Sequence, residues 1–311
     1  MAATTPDTLA ESGRGDGAPR PPRPSMVGRA ENLAAGPIAA VIGGVALLYD
    51  MVVFSGRIII RLPRALRYRK EIATLISDMT IGAGAVVVGG GMIIVIFFLA
   101  FFTGTEVGLQ GFTALEQIGA EAFSGVISSV GNTREITPLI AGVGLAAQVG
   151  AGFTAQLGSM RISDEVDALE VMSVDSMVYL VCTRVWAALV TMVPLYLIAL
   201  FSSFLATKLI VTRFFTLSPG VYDHYFQLFL PPIDIFYSFI KAIVFAIVVT
   251  LIHCWYGYYA TGGPAGVGRA AGRAIRASIM AVTILNLVLS LVFYGDQDTA
   301  RIVGLIGLIG L

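Results

Sequence analysis

Apolar residues in this chain fall into long, nearly uninterrupted runs, and polar residues gather in the short stretches between them. A helix that crosses a bilayer needs about 20 apolar residues, and five runs reach that length, at roughly 80–102, 136–157, 177–205, 233–260 and 277–294. A sixth run, 33–56, is apolar enough to cross but is flanked on both sides by arginine. Arg14, Arg20, Arg23 and Arg29 precede it, and Arg57, Arg61, Arg64, Arg67, Arg69 and Lys70 follow it. Basic flanks stay on the cytoplasmic side, and one span cannot put both flanks there. Arg57, Arg61 and Arg64 share one helical face, with Ile58, Ile59, Leu62 and Leu66 on the other. An interfacial or re-entrant elbow over 33–79 is therefore preferred to a span.

Between the second and third runs lies the one short stretch with a helical stripe. Ile162, Val166 and Leu169 recur at i, i+4 and i+7, with Asp164, Glu165, Asp167 and Glu170 on the remaining positions. The pattern predicts a short surface helix over 163–172, N-capped by Ser163 and with its acids complementing the positive end of the helix dipole. Such a helix is a docking handle for a partner.

Composition agrees with a polytopic membrane protein: hydrophobic residues are 56% and charged residues 13%, with a mean hydropathy of +0.83. The fold class expected is all-α, with an elbow helix, five spans and the acidic helix. Net charge is +0, so nothing points to nucleic acid. Residues 1–32, rich in Pro, Gly and Arg, are expected to be a disordered cytoplasmic tail. With the tail inside and five spans, parity places Arg269, Arg273 and Arg276 inside, as the charge rule requires. The acidic helix also falls inside, and 104–133, with Glu106, Glu116 and Glu121, falls outside.

Candidate chemistry is sparse. Lys70, Lys208 and Lys241 are the only lysines and none completes a phosphate-binding loop, so no ATP site is expected in this chain. His224 and His253 have no ligand cluster around them and read as structural, Gly262–Gly268 as a tight inner loop, and Cys182 and Cys254 as small core residues. The series Gly142, Ala146, Gly150, Thr154, Gly158 makes a ridge of small residues suited either to packing inside the bundle or to a subunit interface. The glycines 82, 84, 89, 90 and 91 are equally open, to close packing or to a flexible entry. Ionisable residues in apolar runs are costly unless paired. Lys241 and the Arg134–Glu135 pair lie near the same membrane face, either as a structural ion pair or as part of a substrate cavity. Arg184 is expected to reach back to the cytoplasm.

The run from Arg134 through Met172, followed by YLVCTRVWA, resembles the signature of the MlaE/YrbE permeases, membrane subunits of lipid-transporting ABC systems that work with MCE proteins. The similarity covers roughly 65–295, and Tyr222–Leu230 with His253–Gly268 look most like B-type YrbE permeases of actinobacterial Mce loci. The resemblance implies that the family's acidic coupling motif falls on Asp164, Glu165, Asp167 and Ala168, with Asp in place of the first Glu and with Leu169 and Glu170 continuing the helix. It implies that the family's Arg-Glu-Leu-x-Pro entry falls on Arg134, Glu135 and Pro138, with Ile136 for Leu, and that Lys241 belongs beside that pair near a lipid cavity. It further implies a bacterial inner-membrane location, a cytoplasmic ABC ATPase carrying ATP and Mg, a second YrbE-type permease, periplasmic MCE proteins and a lipid substrate. An ion-coupled secondary transporter or a non-transporting assembly subunit are the alternatives; the first would show internal repeats, and none is visible. Cysteines placed at Arg20 and Tyr68 should be shielded from an impermeant reagent applied outside, and one at Leu115 should react. Labelling at 20 but not at 68 would make 33–56 a span.

Overall fold

A computed structural model of the chain describes residues 46–80 and 91–309, all helical or in turns and short links, with no strand among them. The expected tail, the first part of the elbow and glycines 82, 84, 89 and 90 lie outside the described residues. The chain divides into two units, 1–50 and 51–311; of the first, 46–50 form a turn of helix. In the second, α1 (51–61) runs into a 3₁₀ segment, Leu62–Tyr68, and then α2 (Arg69–Thr80). Further on come α3 (Gly91–Glu116), the helical run α4 (127–162), α5 (Glu165–Val171), α6 (Met177–Phe214), α7 (Pro219–Leu228), α8 (Pro232–Tyr258) and α9 (Gly263–Ile309).

Among the described residues, four helices are long and apolar enough to cross a membrane: α3, α6, α8 and the part of α9 up to Gly295. The expected second run is also helical, but in alternating segments: π over Ile127–Ile136, α over Thr137–Leu145, π over Ala146–Gly150 and α over Ala151–Ile162. It is rich in Gly, Ala, Ser and Thr because it is the packed centre. Gly142 sits against Phe245, and a Cβ on Gly158 would lie 2.8 Å from Val267. At Gly150 a Cβ would fall 2.5 Å from the His253 ring. The small-residue ridge is thus occupied within the chain, by α8 and α9. His253 is structural, its ring nitrogens 2.9 Å from Thr154 Oγ1 and 3.1 Å from Ser278 Oγ.

Other boundaries moved for reasons of packing. The first span was expected to end near 102, but α3 continues to Glu116 because Gly104 and Gly108 let it lie against α6; a Cβ on Gly104 would be 2.5 Å from the Ser203 carbonyl. Thr207 Oγ1 and Ser202 Oγ donate to the carbonyls of Gly104 and Phe97, each at 2.7 Å. Much of the expected outer loop 104–133 is therefore helix. The expected inner loop at Gly262–Gly268 is instead a helix start: Gly262 and Gly263 take positive φ, which glycine permits, and Pro264 fits a first helical turn. On α1 the inward face is Phe54 and Ile58, followed by Ala65, whereas Ile59 and Leu66 are exposed. Ile59 is exposed within α1 itself, one residue round the helix from Ile58, and the 3₁₀ segment from Leu62 turns successive side chains by more than an α-helix does, so that Ala65 and not Leu66 faces inward. Cys182 and Cys254 are free and buried.

At the end of the bundle away from α5, Phe112 stacks on Phe215 at 4.1 Å, beside buried Tyr222, and Lys208 pairs with Asp223 at 2.7 Å. Close approach at Gly150 is testable. Gly150→Ala should lower the thermal stability of the detergent-solubilised protein by about 1–3 kcal/mol, the usual range for overpacking. Gly152→Ala, with nothing within 4 Å of its Cβ position, should leave the melting curve nearly unchanged.

Candidate functional site

Pro138 stands four residues after Arg134 and has no N–H to give to the Arg134 carbonyl, its ordinary α-helical acceptor. That oxygen is taken by a side chain from another helix. Lys241 Nζ, fully buried on α8, donates to it at 2.6 Å, to Ser290 Oγ at 2.8 Å and to Glu135 Oε1 at 3.4 Å. Burial of an ammonium is tolerable only when its donors are met and its charge is balanced. Glu135 is held in turn by α9, where Ser290 donates to Oε1 at 2.5 Å and Asn286 to Oε2 at 2.6 Å.

Arg134 turns the other way. Its guanidinium meets Asp234 of α8 at 2.9 Å, both side chains being buried, and lies 4.5 Å from the centre of the Tyr294 ring. Among the described residues, two cations and two carboxylates thus meet across α4, α8 and α9. Of the four, only Glu135 reaches the surface of the chain, with 43% of its side chain exposed. The π geometry of Ile127–Ile136 belongs to this site, since a π segment shifts the following side chains around the helix and is frequent where function needs such a shift.

At the other end of the bundle, α5 presents its acids. Glu165, Asp167, Ala168 and Glu170 are exposed, Leu169 is half-buried, and Val166 anchors the helix with 1% exposure. The cap is not Ser163. Asp164 occupies the N-cap in the left-handed region, φ 57°, with no side-chain capping bond, while Ser163 Oγ bonds back to the Ser159 carbonyl at 3.0 Å and to Glu165 Oε1 at 2.8 Å. The sharp turn at Asp164 separates α4 from α5, so Ile162 ends α4, exposed, and does not share the α5 face. Arg161 reaches across that turn to Asp167 at 2.5 Å.

The family model described as Permease MlaE matches residues 81–292. This chain belongs to the MlaE permease family. It is 35% identical over 195 residues to a probable ABC transporter permease protein of Rickettsia prowazekii, covering 62% of this chain and 75% of that one. A probable ABC transporter permease protein of Synechocystis is 31% identical, over 69% of this chain and 82% of its own. The intermembrane phospholipid transport system permease protein MlaE of Haemophilus influenzae is 26% identical, over 73% of this chain and 85% of its own.

In this MlaE-family chain the structure brings Arg134, Glu135 and Lys241 together and sets Asp164 to Glu170 apart at the far end. Asp234, Asn286, Ser290 and Tyr294 were missed. The signal was present: Asp234 and Lys241 lie seven apart on α8, and Asn286, Ser290 and Tyr294 recur every fourth residue of an apolar run. Arg184 does not reach the surface. It is 5% exposed, donates to the Leu180 carbonyl at 2.7 Å and to Gln156 Oε1 at 3.3 Å, and lies 5.5 Å from the Phe153 ring centre. Packing of α4 against α6 closes the route a snorkelling side chain would take. Asp234→Asn should remove one buried charge partner of Arg134 and lower stability by roughly 3 kcal/mol, whereas Asp175→Asn, at the exposed Arg61 pair, should change the melting temperature little.

Proposed function

We propose that this chain is the permease subunit of an ABC-type lipid transporter, with ATP and Mg bound by a separate ATPase that docks on α5. The observation that carries the reading is a polar cluster with three buried charges, set among membrane-length helices, that reaches the surface at Glu135 beside the partly exposed Asn286 and Ser290. A half-exposed carboxylate is costly against hydrocarbon. Its surroundings are therefore a wet cavity or a partner chain, which suits a path for an amphipathic lipid better than a solid structural bundle. Membership of the MlaE family, and the phospholipid-transport name of the Haemophilus relative, support the same reading.

In this reading the chain is a multi-pass protein of a bacterial inner membrane, its N-terminus and α5 in the cytoplasm. It pairs with a second YrbE-type permease and passes lipid to or from a periplasmic MCE assembly. Glu135 faces the cavity. Lys241 and Arg134, being buried, hold Glu135 and the surrounding helices instead of touching lipid. The exposed Glu165 and Glu170 meet basic groups of the ATPase, with Asp167 shared between Arg161 and the partner, and Leu169 and Ala168 supply the apolar part of the contact.

Charge reversal, Glu165→Lys with Asp167→Lys, should cost the complex its ATPase on co-purification, because attractive interface charges become repulsive. Insertion should be unaffected. Glu135→Gln should do the converse, keeping the ATPase bound while lipid movement falls. An ATPase that stays bound and coupled in the double reversal would remove α5 from the docking role.

A further inference from the structure

Between α5 and α8 runs a chain of side-chain hydrogen bonds that docking alone does not require. Ser176 Oγ donates to Glu170 Oε1 at 2.8 Å, and since a hydroxyl has one hydrogen to give, the 2.9 Å contact between Ser176 Oγ and the Tyr258 hydroxyl has Tyr258 as donor. Glu170 is exposed, Ser176 is 2% exposed and Tyr258 8%. The chain thus leads from the surface of α5 into the bundle and ends on the last residue of α8.

The covalent link that leaves α5, toward α6, is pinned. Asp175, the residue before Ser176, accepts from the Val178 N–H at 3.2 Å and is gripped by Arg61 of α1 at 3.1 Å. Ser173 is locked in the left-handed region, φ 61°. Beside this link, a cavity of about 480 Å³ is lined by Arg57, Arg61, Glu170 and the 173–177 stretch, leaving Glu170 space to move without a backbone clash. The Tyr258 ring, in turn, packs on buried Phe54 of α1 with centroids 6.3 Å apart, so its hydroxyl keeps its aim. Displacement of α5 is therefore passed on by Glu170 pulling Ser176 and Tyr258. From Tyr258, α8 runs unbroken to Lys241 and Asp234.

We infer that Ser176 and Tyr258 are positioning residues that couple the acidic helix to the buried charge cluster through α8, with Glu170 as the entry point. This inference rests on the reading of α5 as the ATPase-docking helix and adds how a change there reaches Glu135. A chain of hydrogen bonds ending on a carboxylate is strengthened link by link, which suits it to transmit a shift without stretching.

The test uses the assembled complex in nanodiscs of phosphatidylethanolamine and phosphatidylglycerol. Spin labels go at Phe236→Cys and Phe214→Cys, both exposed, in a background with Cys182→Ala and Cys254→Ala. The distance between labels is compared in nucleotide-free and vanadate-trapped complexes. With the relay intact the distance shifts on trapping. Tyr258→Phe and Ser176→Ala should each abolish most of that shift while the ATP hydrolysis rate stays within about twofold, the scale of a modest coupling change. Ser176→Thr, which keeps the hydroxyl, should restore it. A shift of unaltered size in both Tyr258→Phe and Ser176→Ala would overturn the relay, and so would a shift missing from the background protein. Failure of the background protein to bind an ATPase at all would instead overturn the docking reading, and the relay with it.

Discussion

The structure depends on finding acceptors for one ammonium group. Lys241 sits with no exposed surface in an apolar bundle, and the decisive acceptor is the main-chain carbonyl of Arg134, which Pro138 leaves without its α-helical donor. Once Lys241 is held there, Glu135 is drawn to the same nitrogen and Arg134 must turn away toward Asp234. The register of α4 against α8 and α9 follows from these contacts. The close approach at Gly150 and His253, further along the same helices, depends on that register.

Much of this was legible in the amino-acid order, and the limits were physical. Apolar run length showed where four of the five expected long apolar helices lie, because a bilayer penalises any polar backbone left unpaired and so favours long helices. It could not show where α3 or α9 would end or begin, since those ends are decided by contact with neighbours: Gly104 against Ser203, and the Gly262–Gly263 turn. The pairing of Lys241 with Glu135 was readable because charges in apolar runs are few. Asp234 was not read as a partner because it lies beside prolines at the helix start, where an acid is ordinary. Arg184 misled because snorkelling is a property of an isolated helix in lipid, and α6 is not isolated. Ser163 misled because a good capping side chain is of no use when the preceding helix still claims it.

Two sites at opposite ends of α8 now share one rigid element. At one end Tyr258 meets Ser176 and Glu170; toward the other, Asp234 and Lys241 meet α4 and α9. A helix without an internal proline transmits displacement along its axis with little loss, and α8 has prolines only at its first turn. By contrast α6 carries Pro194 midway, and α4 is broken by π segments, so each can flex where α8 cannot. Stiffness and compliance are thereby divided among neighbouring helices.

The wide spacing of the buried charges along the chain bears on how the protein is made. Arg134 and Asp234 are 100 residues apart, and Lys241 lies 107 after Arg134. A ribosome adding on the order of ten residues per second exposes α4 to the insertion machinery several seconds before its neutralising partners exist. During that interval Arg134 and Glu135 have only each other and water. This stretch of α4 must therefore wait at a hydrated edge of the membrane until α8 arrives, and its burial becomes a late step of assembly.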